Sequence, residues 1–290
     1  MILTDSADVA GLPQSALDAA AMRAKEKGHE GAYLFDLSYP SMSAFLKYAE
    51  RRDLRKKIYT AYNTRCVSGE YDNRDIVARI AELRYETARL LGYENFAEYV
   101  LEHRMAQNST RVYDLLNQLL HAYKPVAVEE VKQLQAFAEK VEGHPVELMP
   151  WDYSYYSTRQ KDALYELNDE MLKPYFELEQ VKKGVFGLAT HLYGLTFKKT
   201  TDIPVYHKEV ETFEVYDADS SYLGLLYTDF YPRSTKQGGA WMTSFKDQWI
   251  DADGTNSRPH ISLVMNFTRP TESAPALCTY AEVATFLHEF

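Results

Sequence analysis

The sequence predicts a mainly α fold of the α+β class, in which long helices precede a small, mostly antiparallel sheet that leads into one last helix. Three observations support this. Apolar residues recur at spacings of three and four through the first two thirds of the chain. Residues 210–216 (VETFEVY) then alternate between apolar and polar, as in a half-buried strand. Near the chain end, Thr279 and Glu282 have the spacing of a capping box.

The helical region begins with two short helices between residues 42 and 65, with Asp53 as the N-cap of the second. A third helix is expected over residues 72–91 and stops at Gly92, and a shorter one follows over residues 95–105. The apolar face of the third helix consists of Ile76, Ile80, Leu83, Thr87, Leu90 and Leu91.

A long helix is expected over residues 109–141, with a kink or a break at Pro125. Its apolar face consists of Leu115, Leu116, Leu119, Tyr123, Val131, Leu134, Phe137 and Ala138. Two further helices are expected over residues 153–171 and 180–193, and Gly194 ends the second.

The strands come late in the chain. Residues 210–216 and 222–227 predict a hairpin, because residues 217–221 (DADSS) are typical of a turn. Residues 240–245 and 261–267 predict further strands. The sheet therefore occupies roughly residues 203–270.

The last helix starts near Tyr280, with Cys278 and Val283 placed as a hydrophobic staple around its N-cap. Its core stripe consists of Val283, Phe286, Leu287 and Phe290. At about 100° per residue, His288 points about 150° away from that stripe, toward small neighbours. No residue that usually ends a helix follows, so we expect the sequence to stop inside a helix.

Composition excludes several classes of protein. With 32 Lys and Arg against 42 Asp and Glu, the net charge is −10, which argues against a nucleic-acid partner. No apolar run approaches the roughly 20 residues that span a bilayer, so we expect no membrane partner. The N-terminus lacks the pattern of a signal peptide, which favours a cytoplasmic protein. Cys66 and Cys278 have no metal-ligand spacing, and we expect two free, mostly buried thiols.

His288-Glu289 is the first half of an H-E-x-x-H motif. In that motif two histidines on one helix face bind zinc, and the glutamate accepts a proton from the attacking water. By itself the dipeptide is far more typical of a solvent-facing histidine beside a glutamate than of a zinc site.

Several longer segments have a recognisable pattern. They are residues 227–233 (YTDFYPR), 236–242 (KQGGAWM), 266–270 (NFTRP), 275–277 (PAL), 286–290 (FLHEF) and, further upstream, 61–65 (AYNTR). In order and spacing they resemble the zinc oligopeptidases, the family that includes thimet oligopeptidase, oligopeptidase A and peptidyl-dipeptidase. Gln237 stands where that family usually has arginine. The similarity extends over nearly the whole chain.

The resemblance implies a zinc-dependent metallopeptidase that hydrolyses short peptides in a deep channel, with one zinc ion (Zn²⁺) in each complete site. It implies that His288 is a zinc ligand and Glu289 the general base, and that the second histidine and a glutamate ligand follow beyond Phe290. Residues 1–40 would then end an N-terminal helical region. Residues 41–290 would be the N-terminal part of the catalytic region, helical to about residue 194, with the active-site helix starting at residues 280–290.

Gly238, Gly239, Ala240 and Trp241 are candidate substrate-binding residues. A strand that starts with two glycines lets another backbone come close, so its edge could pair with an extended peptide. The alternative is that the glycines only form a turn or a bulge.

Two functions from different classes therefore remain. The first is a metallopeptidase, represented by an incomplete copy that is inactive alone; whether it removes dipeptides or cleaves internally stays open. The second is a non-catalytic helical scaffold that binds peptides.

Overall fold

A computed structural model describes all residues of the chain, 1–290. The chain divides into two compact units, which we describe separately. The first combines Met1–Ile58 with Lys161–Phe290, and the second is Tyr59–Gln160. No helix is both long and apolar enough to cross a membrane.

The N-terminal part of the first unit contains a two-stranded antiparallel ribbon and three helices. These are β1 (Ile2–Leu3), β2 (Tyr33–Leu34), α1 (Gln14–Glu26), α2 (Tyr39–Tyr48) and α3 (Arg52–Asn63), the last of which continues into the second unit. Asp53 is not the N-cap of α3, because the helix already begins at Arg52. Its carboxylate instead accepts hydrogen bonds of 2.9 and 2.8 Å from the Arg51 guanidinium.

The second unit is entirely helical. It contains α4 (Arg74–Leu90), α5 (Phe96–Leu101), α6 (Ser109–Glu142) and the start of α7 (Tyr153–Tyr165). Gly92 follows α4 with a left-handed φ of 86°, which confirms it as the stop signal. The break expected at Pro125 does not occur, since α6 is continuous over 34 residues. A proline removes one backbone donor, and the rest of so long a hydrogen-bond ladder persists.

The predicted apolar faces of α4 and α6 are helical in spacing but largely open to solvent. Leu134 and Ala138 are buried against Tyr155 and Tyr156, which forms a small core at the end of α6. The remaining large apolar side chains are exposed, among them Ile76, Ile80, Leu83, Leu90, Leu115, Leu116, Leu119, Tyr123 and Val131. The apolar spacing therefore predicted these two helices correctly, but it did not predict which of their side chains are buried.

Chain elements after residue 160 return to the first unit. The single helix expected over residues 153–171 is two, α7 and α8 (Asp169–Leu172). They are separated because Glu166 adopts a left-handed φ of 52° and Asn168 caps α8 by accepting a hydrogen bond from the Met171 amide. Next comes α9 (Leu178–Tyr193), which ends at Gly194 as predicted.

The main sheet has five strands in the order β3-β4-β5-β9-β6. They are β3 (Thr196–Thr200), β4 (Glu211–Tyr216), β5 (Tyr222–Asp229), β6 (Trp241–Lys246) and β9 (His260–Val264), and a separate hairpin pairs β7 (Trp249–Ile250) with β8 (Asn256–Ser257). The predicted hairpin is β4 with β5. All pairings in the five-stranded sheet are antiparallel except β5 with β9, so the predicted mostly antiparallel sheet is confirmed.

One hydrophobic core joins this sheet to α9 and to α10 (Tyr280–Glu289). Its buried members include Leu178, Val185, Phe213, Leu226, Phe230, Leu263, Met265 and Phe286. Cys278 lies in the same core, and burial raises the pKa of its thiol to about 12. Cys66 is exposed, so the expectation of two buried thiols is wrong for it. It lies three residues beyond the end of α3, with a left-handed φ of 58°, and belongs to no core.

Candidate active site

The helix that carries His288 and Glu289 begins with the predicted capping box. Thr279 Oγ1 accepts a hydrogen bond of 3.2 Å from the Glu282 amide, and Glu282 Oε2 accepts one of 2.7 Å from the Thr279 amide. These two bonds satisfy donors that an uncapped helix would leave free, and they fix where α10 starts.

The second carboxylate oxygen of Glu282 bonds outside its own helix. Glu282 Oε1 accepts hydrogen bonds of 2.7 Å from the Thr268 amide and 3.1 Å from the Thr268 hydroxyl. Thr268 lies on the segment that leaves β9, so a single carboxylate connects the first turn of α10 to the sheet.

Phe286 anchors the middle of α10. Its ring is fully buried and lies edge-on to Phe230, with the ring centroids 5.1 Å apart. Val283 packs against the same core, but Leu287 is 47% exposed and Phe290 is 39% exposed. The predicted stripe is therefore correct for Phe286 and Val283 and wrong for Leu287, because the core contacts a narrower face of the helix than the spacing suggests.

His288 and Glu289 occupy the last turn of α10. The His288 side chain is exposed, and neither ring nitrogen has a hydrogen-bond partner. Glu289 is partly buried and forms no ion pair. No group of three or more His, Cys, Asp or Glu side chains in the chain is arranged to hold a metal ion. The residues present therefore fit one ligand position of a zinc site and do not complete such a site.

The segment from Gly238 to Trp241 leads into the edge of the five-stranded sheet. β6 pairs with β9 on one side only, with Trp241 opposite Val264 and Thr243 opposite Ser262. Its other side has no strand partner. An edge strand presents unpaired backbone groups, which an extended peptide can pair with.

The two glycines before this strand differ in conformation. Gly239 has a φ of 100°, a region that residues with a side chain rarely adopt, whereas Gly238 does not have a positive φ of this kind. A Cβ at either position would meet no atom within 4 Å. The backbone conformation at residue 239 therefore requires glycine. The conformation at residue 238 does not, and there the missing side chain leaves the main chain open to solvent.

A buried cluster of charges supports the loop between β5 and β6. Asp229, almost completely buried at the end of β5, accepts two hydrogen bonds from the Arg233 guanidinium at 2.9 and 2.8 Å and one from Lys236 Nζ at 2.9 Å. Tyr206 donates a further one at 3.0 Å. Burial alone would raise the pKa of Asp229, but the bonds from Arg233 and Lys236 outweigh it and lower that pKa below its ordinary value.

The structure places residues 238–241 and the helix that carries His288 and Glu289 around one core. Ala240 packs against the core that contains Phe286, and so does Val283 of the helix that carries His288. The sequence pattern showed Asp229 and Arg233 in one motif, and Lys236 and Asn266 in two others. The bonds of Asp229 to Arg233 and Lys236 are local, but the contact of Asn266 with the β5–β6 loop depends on strand pairing between distant segments, which no local signal reveals.

Comparison with known proteins places this sequence in a family. A family model described as "Peptidase family M3" matches residues 45–290. Oligopeptidase A of Salmonella typhimurium is 42% identical over 294 residues, and dipeptidyl carboxypeptidase of Escherichia coli is 32% identical over 292 residues. A probable cytosolic oligopeptidase A of Arabidopsis thaliana is 35% identical over 301 residues.

These alignments include 100% of the chain but only 42–43% of the three relatives. The chain thus spans less than half the length of the relatives that it matches. The family model nevertheless extends over most of the chain, and the resemblance seen in its motifs is confirmed. The chain belongs to peptidase family M3.

Proposed function

We propose that these residues form part of a zinc-dependent metallopeptidase that hydrolyses short peptides. Membership of peptidase family M3 supports the peptidase class. The observation that carries the proposal is the position of His288-Glu289 at the end of α10, a helix capped by Thr279 and anchored by the buried ring of Phe286. Residues 41–290 are then the N-terminal part of the catalytic region, in keeping with the matched range 45–290.

In this proposal His288 is a zinc ligand and Glu289 is the general base. The exposed, unbonded imidazole of His288 is free to donate a nitrogen lone pair to a metal. The zinc ion, when bound, supplies Lewis acidity toward the peptide carbonyl. The Glu289 carboxylate forms no ion pair, so it is free to accept a proton from the attacking water and pass it to the leaving amine. The remaining ligands would come from polypeptide outside the 290 residues.

The second part of the proposal is that the open edge of β6 binds the substrate. A peptide that adds a strand there would be bound through its backbone, which suits substrates of many sequences. Gly238, Gly239, Ala240 and Trp241 precede or begin that edge and would define where the substrate enters. The name of the Arabidopsis relative, "Probable cytosolic oligopeptidase A", supports a cytoplasmic location.

Two substitutions in a full-length enzyme that contains these residues test the roles of the dipeptide. Glu289→Gln should reduce kcat by roughly 10²–10⁴ and leave zinc content unchanged, because the carboxamide accepts no proton. His288→Ala should lower zinc content itself. Glu272→Gln and His29→Ala are matched controls, since both residues are exposed and lie outside α10.

Kinetics and metal analysis on the same preparations decide between the alternatives. Retention of more than a few per cent of kcat by Glu289→Gln would remove the general-base assignment. A wild-type enzyme that binds peptides but neither binds zinc nor hydrolyses them would favour the non-catalytic scaffold.

A further inference from the structure

Asn266 bonds to both sides of the glycine pair. Its side-chain Nδ2 donates one hydrogen bond to the Gln237 carbonyl at 2.9 Å and another to the Gly239 carbonyl at 2.8 Å. Both amide hydrogens are thus used on one short loop, and Gly238 lies between the two bonded carbonyls. We call this arrangement the Asn266 clamp.

The neighbours of Asn266 explain why its side chain points at the loop. The Met265 amide donates to the Asp229 carbonyl at 2.7 Å, and the Phe267 amide donates to the Phe230 carbonyl at 2.8 Å. The side chains of Met265 and Phe267 are buried in the main core. Since side chains alternate along an extended chain, Asn266 must face the opposite way.

The clamp acts on a segment that does not have a preferred conformation of its own. Gly238 and Gly239 carry no side chains, and glycine has the largest backbone freedom of any residue. Gly239 uses that freedom, since its φ is 100°. Without a bond at each carbonyl, residues 237–240 would sample several paths into β6.

We infer that Asn266 is a positioning residue, which sets the path of residues 237–240 and thereby the point where an extended peptide begins to pair with β6. This inference rests on the proposed peptidase function.

Asn266→Asp tests the clamp, because it keeps the size of the side chain and replaces the donating amide by a carboxylate oxygen. Asn266→Ala separates loss of the donor from the added charge. Asn256→Asp in β8 is the matched control: it makes the same chemical change at an exposed asparagine outside the loop.

The first measurement is NMR relaxation of the backbone 15N nuclei in the 290-residue chain. With the two bonds from Asn266 in place, residues 237–240 should have order parameters near the rigid value of about 0.85, and in both Asn266 variants these should fall below about 0.6. Order parameters in α10 and β4 should stay unchanged, as should the whole pattern in Asn256→Asp. Unchanged order parameters at residues 237–240 would show that there is no clamp, and a fall throughout the unit would show a merely structural role.

The second measurement is kinetics of the full-length enzyme with a long and a very short peptide. The Asn266 variants should raise KM for the long peptide about tenfold with little change in kcat, and should leave the short peptide unaffected. Equal loss with both peptides, or no loss with either, would overturn the positioning role. A wild-type enzyme that hydrolyses no peptide would instead overturn the proposed function, whatever the order parameters show.

Discussion

Lys236 and Asp229 form a buried ion pair in which the ammonium bonds to two different oxygens of the same residue. Lys236 Nζ lies 2.9 Å from Asp229 Oδ1 and 2.9 Å from its main-chain oxygen, and it also donates to the Tyr231 carbonyl at 3.0 Å. One side chain therefore closes the start of the β5–β6 loop, while Asn266 holds its end. The conformation of the glycine pair depends on both.

Asp229→Asn should destabilise the first unit strongly, because Lys236 would keep its charge in a buried place without a counter-charge. Breaking a buried pair by changing one partner typically costs about 3–5 kcal/mol. Chemical denaturation measures this loss. Asp114→Asn on the exposed face of α6 makes the same change without a buried partner and should shift the free energy of unfolding by less than about 0.5 kcal/mol. Equal shifts in the two variants would contradict the role of the pair.

Stability should fall in acid for the same reason. The pKa of Asp229 is below its ordinary value of 3.8 in the folded state, so the unfolded chain binds a proton at higher pH than the folded chain does. The contribution of Asp229 is complete above its unfolded pKa and is lost as pH falls through the lower, folded pKa. A pH series of denaturation midpoints below about pH 4 should show a steeper loss for wild type than for Asp229→Asn. Parallel curves would exclude the linkage.

Valine substitutions at the two glycines should separate folding from substrate use. Gly239→Val forces a β-branched residue to a φ of 100° and should lower the melting temperature together with activity. Gly238→Val meets no atom within 4 Å and needs no left-handed backbone, so the fold should persist. If the loop borders bound substrate, Gly238→Val raises KM for long peptides at an almost unchanged melting temperature. Unaltered KM would remove Gly238 from the substrate-binding residues.

The 290-residue chain by itself should not hydrolyse peptides. Catalytic zinc usually has three protein ligands, and no cluster of three candidate ligands exists among these residues. A quenched fluorescent peptide with added zinc measures this directly, with the full-length enzyme as the positive control. Chelator-sensitive cleavage by the purified 290-residue chain would contradict the expectation.

Two leucines on the same face of α6, about five turns apart, should respond differently to the same substitution. Leu134 is 2% exposed and Leu116 is 51% exposed, although both fit the apolar spacing of the helix. Leu134→Ala should cost about 2–5 kcal/mol of unfolding free energy through loss of packing. Leu116→Ala should cost less than about 1 kcal/mol, since helix propensity changes equally in both variants. Equal costs would indicate that α6 is also packed around Leu116 in solution.

The elements that the sequence predicted well are those whose signals are local. Gly92 and Gly194 end their helices, Thr279 and Glu282 start α10, and residues 217–221 turn between β4 and β5. In each case the deciding hydrogen bonds join residues only a few positions apart. The exposed position of His288 also followed from helical spacing, because Val283 and Phe286 fix which side of the helix faces the core.

Contacts between distant segments were decided only by the tertiary structure. β3 escaped prediction because Phe197 is its only residue that packs against the core, and Pro125 did not break α6 because a long helix tolerates one lost bond. The sequence placed Gly238 and Gly239 before a strand but could not show that this strand is an edge. That property arises because β9 pairs with β5 on one side and with β6 on the other. The pairing of β5 with β9 joins residues 35 positions apart, such as Leu225 and His260, and hydrophobic periodicity does not encode it.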